Sequence, residues 1–274
     1  MQTNVNTRLC GILGKPVNHS ISPAIHNAAF EALALNYVYL AFHVDDLEGA
    51  MRGMRALNVR GFSVTMPHKV EVIRYLDDID PIAQKIGAVN TVVNTDGLLQ
   101  GYNTDWLGFT RSLEAVTPIR NKKVVIAGTG GAARALGFGI TEKGGTLTIL
   151  NRSERSSAAA ALAAELGCDW GPLSRKSTIT EADIVVNATL LGMPPYEKMT
   201  IADAAYLRAG QVVYDVVYNP LETRLLREAA AKGCRVVPGS EMLLLQALAQ
   251  FELWTGQTPP VDLMRTILQE RLRG

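Results

Sequence analysis

One glycine-rich turn between two apolar runs constrains this chain more than any other stretch of its sequence. The run Val124-Val125-Ile126-Ala127 is too short for a helix and ends at glycine, which is typical of a buried parallel strand. The turn that follows, Gly128-Thr129-Gly130-Gly131-Ala132-Ala133, has the variant glycine and alanine spacing of a dinucleotide-binding turn. A helix over 131–143 and a second strand over 146–150 complete the pattern. The sequence therefore predicts a βαβ unit of the Rossmann type.

The residues of this unit also indicate which dinucleotide it binds. Small residues let backbone amides approach a pyrophosphate at the positive end of the helix. The small residues of this turn are Gly128, Gly130, Gly131 and Ala132. An NAD site usually has an acidic residue after the second strand, but the polar and basic residues there are Asn151, Arg152, Ser153 and Arg155. Guanidinium groups are permanently charged, forked donors that suit a ribose phosphate. The predicted cofactor is NADP, although the two arginines would also suit a solvated helix start.

Composition and charge exclude several other classes of protein. The 274 residues suffice for two modest domains, and the formal net charge of +1 gives no reason to expect a nucleic-acid partner. Three cysteines, Cys10, Cys168 and Cys234, are widely spaced without a CxxC pair, so we expect neither a disulfide framework nor a metal site. Free cysteines are typical of a reducing compartment, and we therefore expect a cytoplasmic location. The polar start is unlike a signal peptide, and no apolar run approaches the roughly 18 residues of a membrane span.

The first hundred residues predict a second α/β domain. Short apolar or alternating runs indicate strands over 9–13, 37–44 and 60–64, with helices over 22–34 and 45–57. We expect Ser22 to cap the first helix, because Pro23 then occupies its first position. Ser20 lies in the same turn, and two hydroxyls beside a helix N-terminus suit a carboxylate.

The third of these strands leads into a candidate ligand site. Ligands of open parallel sheets bind beyond the carboxyl ends of the strands, where Thr65 and Lys69 lie. We expect Lys69 to open a helix, where its cation would face the positive end of the dipole. That unfavourable placement favours a functional role. His19 and His26 have no accompanying Cys or Asp pattern, so we interpret both as structural.

Two further polar residues flank a predicted hairpin. Asn90 precedes it, Asp96-Gly97 provides its turn, and Asp105 follows it before a helix over 106–115. Capping of that helix explains Asp105 about as well as a functional role does. The functional interpretation gains weight when Lys69, Asn90 and Asp105 are considered together.

Beyond the nucleotide unit, three strands end in candidate ligand residues. The strand over 183–189 ends at Thr189, the strand over 211–217 leads into Tyr218, and the strand over 234–237 leads into Gly239 and a break before an apolar helix over 242–254. Gln246 interrupts that apolar helix. It either lines a wet cleft or bonds to backbone at a domain joint, because a buried amide requires partners.

The motifs HSISP, SVTMPHK, GAVNT and GYNTD precede the GTGGAAR turn in this order, and together they resemble the shikimate dehydrogenase family over essentially the whole chain. The resemblance implies an α/β fold of two domains. Residues 1–105 with 240–274 would form a substrate-binding domain with a mostly parallel sheet. Residues 106–239 would form the NADP-binding Rossmann domain.

The resemblance also implies an activity and residue roles. The reaction would be the reversible reduction of 3-dehydroshikimate to shikimate by NADPH, in chorismate and aromatic amino-acid biosynthesis. Lys69 and Asp105 would be catalytic, and the substrate would be held by Ser20, Ser22, Thr65, Asn90, Tyr218 and Gln246. Gly239 and Met242 would lie near the nicotinamide. Arg155 stands one position earlier than the second basic residue of the family pattern, which leaves its phosphate contact open.

Two other functions fit the sequence less well. An NAD-dependent quinate/shikimate dehydrogenase is disfavoured by Ser22, where a bulkier hydroxyl residue would suit quinate, and by the missing acidic residue after the second strand. A non-catalytic metabolite sensor would be expected to lack Lys69 or Asp105, or to carry a DNA-binding extension. The oligomeric state stays open between monomer and homodimer.

Overall fold

The computed structural model describes residues 3–273, which form two six-stranded sheets with helices between the strands. The chain divides into two compact units. One contains the chain up to Thr104 and from Gln246 onward, and the other contains Asp105–Leu245. The predicted α/β fold is confirmed.

The first unit has a mixed sheet in the order β2-β1-β3-β5-β6-β4. Its strands are β1 (Arg8–Gly14), β2 (Tyr37–His43), β3 (Gly61–Val64), β4 (Asp78–Ile79), β5 (Thr91–Thr95) and β6 (Leu98–Tyr102). β1 pairs in parallel with β2 and β3, β4 pairs in parallel with β6, and β5 runs antiparallel to β3 and β6. Its helices are α1 (Ser22–Ala32), α2 (Leu47–Ala56), α3 (Pro81–Ile86) and α10 (Val261–Arg273).

The second unit has an entirely parallel sheet in the order β12-β11-β10-β7-β8-β9, which is the Rossmann strand order. Its strands are β7 (Lys123–Ala127), β8 (Thr146–Asn151), β9 (Asp169–Pro172), β10 (Ile184–Asn187), β11 (Val212–Asp215) and β12 (Arg235–Pro238). Its helices are α4 (Asp105–Glu114), α5 (Gly131–Glu142), α6 (Ser157–Leu166), α7 (Lys176–Glu181) and α8 (Arg224–Ala231). The long helix α9 (Gly239–Thr255) starts in this unit and ends in the first.

The C-terminal end of α9 completes the core of the first unit. Trp254 is fully buried, and its indole nitrogen donates to the carbonyl of Val92 at 3.1 Å. A Cβ on Gly61 would lie 2.1 Å from that same nitrogen, so only glycine lets β3 approach the indole this closely. The Trp254 carbonyl in turn accepts from Arg60 Nε at 2.8 Å and from the Tyr37 hydroxyl at 3.3 Å.

Two predictions about the elements were wrong. The break expected after β12 is absent, because α9 begins at Gly239 itself. In place of the helix expected to open at Lys69, residues 71–86 contain a 3₁₀ helix over Glu71–Tyr75, the strand β4 and the short helix α3. Asp80 caps α3 through bonds from the amides of Ile82 and Ala83 at 2.9 and 3.3 Å. Within residues 3–273, no helix combines the length and apolar character needed to span a membrane.

Candidate active site

The glycine turn after β7 has the geometry that phosphate binding requires. Gly128 has a φ of +120°, and a Cβ there would lie 2.6 Å from the Ala188 carbonyl oxygen, so both conformation and space require glycine. A Cβ on Gly130 would meet nothing within 4 Å. Gly130 is also the N-cap of α5 and offers no side-chain acceptor to the helix amides. The turn therefore leaves open space at a helix N-terminus, which suits a pyrophosphate.

The loop after β8 presents the two arginines expected to read the cofactor phosphate. Asn151 organises this loop, because its Nδ2 donates to Ser156 Oγ at 2.6 Å and its Oδ1 accepts from the Arg152 amide at 2.7 Å. Ser153 Oγ accepts from the Arg155 amide at 3.2 Å. Both arginines are exposed, and neither forms an ion pair within the part of the chain that the structure describes. Uncompensated guanidiniums on an ordered loop suit a phosphate ligand.

The two serines near α1 share one turn, but the predicted cap is wrong. Ser22 is the first residue of the helix, Ile21 occupies the N-cap position, and no side chain caps the helix. Proline is compatible with the first or the second position of a helix. Pro23 therefore indicates where α1 begins only to within one residue. The Ser22 amide donates to Ser20 Oγ at 3.3 Å.

Lys69 lies in a turn, so the prediction that it opens a helix was wrong. Residues 66–70 form the turn after β3, and the 3₁₀ helix starts only at Glu71. The helix-dipole argument for Lys69 therefore fails. The turn is held in place by other bonds: the Thr65 amide donates to the Leu13 carbonyl at 2.9 Å, and the Val89 amide donates to the Lys69 carbonyl at 2.7 Å. Lys69 thus lies next to the segment that carries Asn90.

Asn90 is buried and fixes the chain immediately before Asp105. Its Oδ1 accepts from the Thr104 amide at 2.7 Å and from Thr91 Oγ1 at 2.8 Å, and its Nδ2 donates to Thr104 Oγ1 at 2.9 Å. Asp105 is the first residue of α4 and is buried, so it belongs to the helix and does not precede it as expected.

A chain of buried polar side chains connects Tyr39 to Asn90. Gln250 Nε2 donates to Thr91 Oγ1 at 2.9 Å and to the Asn90 carbonyl at 3.2 Å, while its Oε1 accepts from Ser63 Oγ at 2.8 Å. Ser63 Oγ lies 2.6 Å from the Tyr39 hydroxyl, and burial raises the pKa of Tyr39. Sequence reasoning selected the buried Gln246 and missed Gln250, although both carry the same signal of an amide on an apolar helix.

Asp215, which sequence reasoning also missed, organises the carboxyl ends of β10 and β11. It is fully buried and accepts hydrogen bonds from Asn187, Val217 and Thr223. Desolvation raises the pKa of Asp215 to about 6, against these bonds, which lower it. Thr189 bonds to Asn187, and Tyr218 follows Val217. Tyr218 is partly buried, and desolvation raises its pKa as well.

Two further predicted site residues, Gly239 and Met242, lie in the first turn of α9. A Cβ on Gly239 would lie 2.3 Å from the Val216 carbonyl oxygen, so this position accepts only glycine. Met242 is buried. In the first unit, hydrogen bonds thus join Ser20 to Ser22, and Lys69 to Val89 directly before Asn90. In the second unit they connect Thr189 with the chain before Tyr218. Among residues 3–273, no three His, Cys, Asp or Glu side chains are grouped to hold a metal ion.

Comparison with known proteins identifies the family. Residues 12–92 match the model of the shikimate dehydrogenase substrate binding domain, and residues 239–269 match that of the shikimate 5'-dehydrogenase C-terminal domain. A shikimate dehydrogenase (NADP(+)) of Moorella thermoacetica is 48% identical over 283 residues, which cover 99% of this chain and 96% of the relative.

Solved structures agree over the full length. A shikimate dehydrogenase in complex with NADP+ superposes with a TM-score of 0.93 at 40% identity, covering 99% of this chain and 98% of the other. Shikimate 5-dehydrogenase of Thermus thermophilus, in complex with NADP(H) and shikimate, has a TM-score of 0.88 at 38% identity, with 97% and 100% covered. The chain therefore belongs to the shikimate dehydrogenase family.

Proposed function

We propose that this protein catalyses the reversible, NADPH-dependent reduction of 3-dehydroshikimate to shikimate, a step of chorismate and aromatic amino-acid biosynthesis. It is an oxidoreductase acting on a CH-OH group, and its cofactor is NADP. The observation that carries the proposal is the 48% identity to a shikimate dehydrogenase (NADP(+)) across nearly the whole of both chains.

The two units provide the two binding functions. Residues 106–239 form the NADP-binding domain, as the Rossmann strand order and the open glycine turn after β7 support. Residues 1–105 with 240–274 form the substrate-binding domain. The match of residues 12–92 to a substrate binding domain supports that assignment.

Bound NADPH supplies the hydride. The amides of Gly128, Gly130, Gly131 and Ala132 hold its pyrophosphate, and the side chains after β8 hold its ribose phosphate. The exposed Arg152 carries most of that phosphate recognition, supported by Asn151, Ser153 and Arg155. Thr189, Gly239 and Met242 lie beside the nicotinamide end. The open space above Gly130 and the unpaired guanidiniums support this placement within the residues that the structure describes.

Lys69 and Asp105 act on the proton of the substrate hydroxyl. Oxidation of a carbinol removes that proton as the hydride leaves, and reduction returns it to the carbonyl oxygen. Lys69 is the acid/base group of a pair with Asp105 that shares this proton and orients the substrate hydroxyl. The Asn90–Thr104 hydrogen bonds support this role, because they fix the backbone directly before Asp105.

The substrate is recognised by neutral hydrogen-bonding groups. Ser20 and Ser22 bind its carboxylate, with Tyr218 nearby, and the ring hydroxyls are bound by Thr65, Asn90 and Gln246. The hydrogen bond between the Ser22 amide and Ser20 Oγ supports the first assignment, because it holds both hydroxyls in one turn.

The decisive experiment compares four combinations of substrate and cofactor, namely shikimate or quinate with NADP+ or NAD+, by absorbance of the reduced cofactor. We expect the highest kcat/KM for shikimate with NADP+. A preference for quinate with NAD+ would refute the substrate and cofactor assignment and favour a quinate dehydrogenase. No turnover in any combination, with shikimate still bound, would favour a metabolite sensor.

We also propose a cytoplasmic monomer or homodimer without nucleic-acid or membrane partners. The three free cysteines suit a reducing compartment, and the net charge of +1 offers little attraction to a polyanion. Sedimentation of the purified protein with and without NADP+ would determine its assembly.

A further inference from the structure

The carboxylate of Asp215 joins three separate segments at the carboxyl ends of β10 and β11. Its Oδ1 accepts from Asn187 Nδ2 at 2.8 Å and from the Val217 amide at 3.0 Å, and its Oδ2 accepts from Thr223 Oγ1 at 2.7 Å. Asn187 ends β10, Val217 lies in the loop after β11, and Thr223 caps α8. Asp215 itself is 0% exposed, so it has no direct access to a ligand.

The first of these partners, Asn187, is also hydrogen-bonded to Thr189. Asn187 Oδ1 accepts from Thr189 Oγ1 at 2.7 Å and from its amide at 3.1 Å, and Asn187 Nδ2 also donates to the Leu191 carbonyl at 2.9 Å. Every hydrogen-bonding atom of the Asn187 amide is therefore engaged. Its orientation, and with it the position of Thr189, depends on the Asp215 carboxylate.

The second partner fixes the chain that carries Tyr218. Val217 directly precedes Tyr218, and its amide is held by Asp215 Oδ1. The same backbone lies against the start of α9, because a Cβ on Gly239 would lie 2.3 Å from the Val216 carbonyl oxygen. A displaced loop after β11 would thus move both Tyr218 and its neighbour Gly239.

We propose that Asp215 is a positioning residue for the reaction, which holds Thr189 in place for the cofactor and Tyr218 in place for the substrate. The inference rests on the proposed function. A buried carboxylate is costly unless its oxygens are fully bonded, and here the bonds lead to two candidate ligand residues. Asp215 does not contact ligand or reacting atoms, and acts only through Asn187 and Val217.

Gln211, which directly precedes β11, offers a matched control. Gln211 is also 0% exposed, and its Nε2 donates to the Ile179 and Ala182 carbonyls at 2.9 and 2.8 Å. These bonds lead to no candidate ligand residue. Loss of Gln211 therefore reports the stability cost of deleting a buried polar side chain, without the positioning effect.

The test uses the full-length variants Asp215→Ala, Asp215→Asn and Gln211→Ala. We expect Asp215→Ala to weaken NADP+ binding and to raise KM for shikimate, each by about tenfold, because Asn187 and Val217 both lose their acceptor. Asparagine can keep its oxygen towards Asn187 and Val217 and its amide towards Thr223 Oγ1. Asp215→Asn should therefore restore both constants to within about threefold of wild type. Gln211→Ala should change neither beyond about twofold, although it lowers the melting temperature.

Calorimetric titration with NADP+ measures binding independently of turnover. Unchanged constants in Asp215→Ala, equal shifts in Gln211→Ala, or failure of Asp215→Asn to restore the constants would each overturn the proposal. Absence of shikimate turnover in the wild type would instead refute the proposed function, while the titrations would still compare the variants.

If Asp215→Ala does not fold, Asn187→Ala tests the same connection. This variant cuts the path to Thr189 but leaves the bond from Asp215 to Val217. We expect weaker NADP+ binding by about tenfold and an almost unchanged KM for shikimate. Equal shifts in both constants would contradict the assignment of two separate paths.

Discussion

Asn90 and Thr104, 14 residues apart in sequence, are joined by hydrogen bonds from both ends of the Asn90 amide. The bond from the Thr104 amide to Asn90 Oδ1 measures 2.7 Å, and that from Asn90 Nδ2 to Thr104 Oγ1 measures 2.9 Å. The next residue is Asp105. The side chain of Asn90, which is assigned to substrate binding, therefore also fixes the backbone directly before the proposed catalytic carboxylate.

We therefore expect Asn90→Ala to lower both stability and kcat. A buried Thr104 amide without its acceptor costs about 1–3 kcal/mol in the free energy of unfolding, and kcat should fall at least about tenfold. Thr104→Val is the matched control, because it keeps the backbone bond and loses only the hydroxyl. Denaturant unfolding and steady-state kinetics measure both effects. A loss of kcat in Thr104→Val as large as in Asn90→Ala would contradict this account.

Replacement of Lys69 tests the acid/base role. Lys69→Ala should reduce kcat by about 10²–10⁴, with a smaller change in KM for shikimate, because a positioned proton donor acts mainly on the chemical step. Lys85→Ala, in the last turn of α3, serves as the control for removal of one lysine charge. Near-normal turnover of Lys69→Ala would rule out the assignment.

Replacement of Arg152 tests cofactor discrimination. Arg152→Ala should raise KM for NADP+ about tenfold or more and leave KM for NAD+ almost unchanged, because only NADP+ carries the additional phosphate. Arg155→Ala shows whether the second arginine shares the contact, and we expect a smaller effect from it. Equal changes for both cofactors would indicate that Arg152 does not contact the phosphate.

Two glycines of one turn should respond differently to alanine. Gly128→Ala forces a side chain into a φ of +120° and against the Ala188 carbonyl, so it should destabilise the fold by about 1–3 kcal/mol. Gly130→Ala meets no atom within 4 Å and should leave the melting temperature unchanged. It should nevertheless weaken NADP+ binding, because its methyl group occupies the space assigned to the pyrophosphate. Unchanged NADP+ binding in Gly130→Ala would move that site elsewhere.

His26 should make the protein less stable in acid. It is fully buried against the rings of Tyr39, Phe251 and Trp254, and neither ring nitrogen has a hydrogen-bond partner among the described residues. Desolvation lowers the pKa of His26 from 6.5 to about 3. Between these values the unfolded chain binds one more proton, so this residue's contribution to stability falls by about 1.4 kcal/mol per pH unit as the pH falls.

Asp215 should act in the opposite direction over part of this range. Its pKa is raised from 3.8 to about 6, so the folded state binds the additional proton between these values, and stability falls as the pH rises. The two effects offset each other between about pH 4 and 6 in the wild type. We expect His26→Leu, followed by denaturant unfolding from pH 4 to 7, to reveal the Asp215 slope. An unfolding free-energy difference between His26→Leu and wild type that does not vary with pH would contradict the His26 assignment.

The sequence was most informative where one local pattern determines one local structure. The apolar run before Gly128 and the turn after it place β7 and α5 to within one residue, because strand, glycine geometry and helix start are encoded consecutively. Lys69 shows the limit of such reasoning. Nothing in its local sequence distinguishes a helix start from a turn followed by a 3₁₀ helix.

Asp215 could not be recognised from the sequence for a different reason. Its partners Asn187 and Thr223 lie 28 and 8 residues away; the parallel pairing of β10 with β11 brings Asn187 to Asp215, and the loop into α8 brings Thr223 back to it. Gln250 is similar, since its bonds to Asn90 and Thr91 span about 160 residues. Polar side chains at strand ends and on apolar helices mark such positions, but their partners depend on the fold.

The contact between Trp254 and Gly61 has a consequence for synthesis of the chain on the ribosome. The indole fills space against β3 that no earlier residue occupies, so the first sheet lacks part of its interior until Trp254 has been translated. The second unit, whose sequence is continuous from Asp105 to Leu245, is complete before then. The strands of the first sheet, β1 to β6, are therefore translated before the second unit but gain their full interior after it.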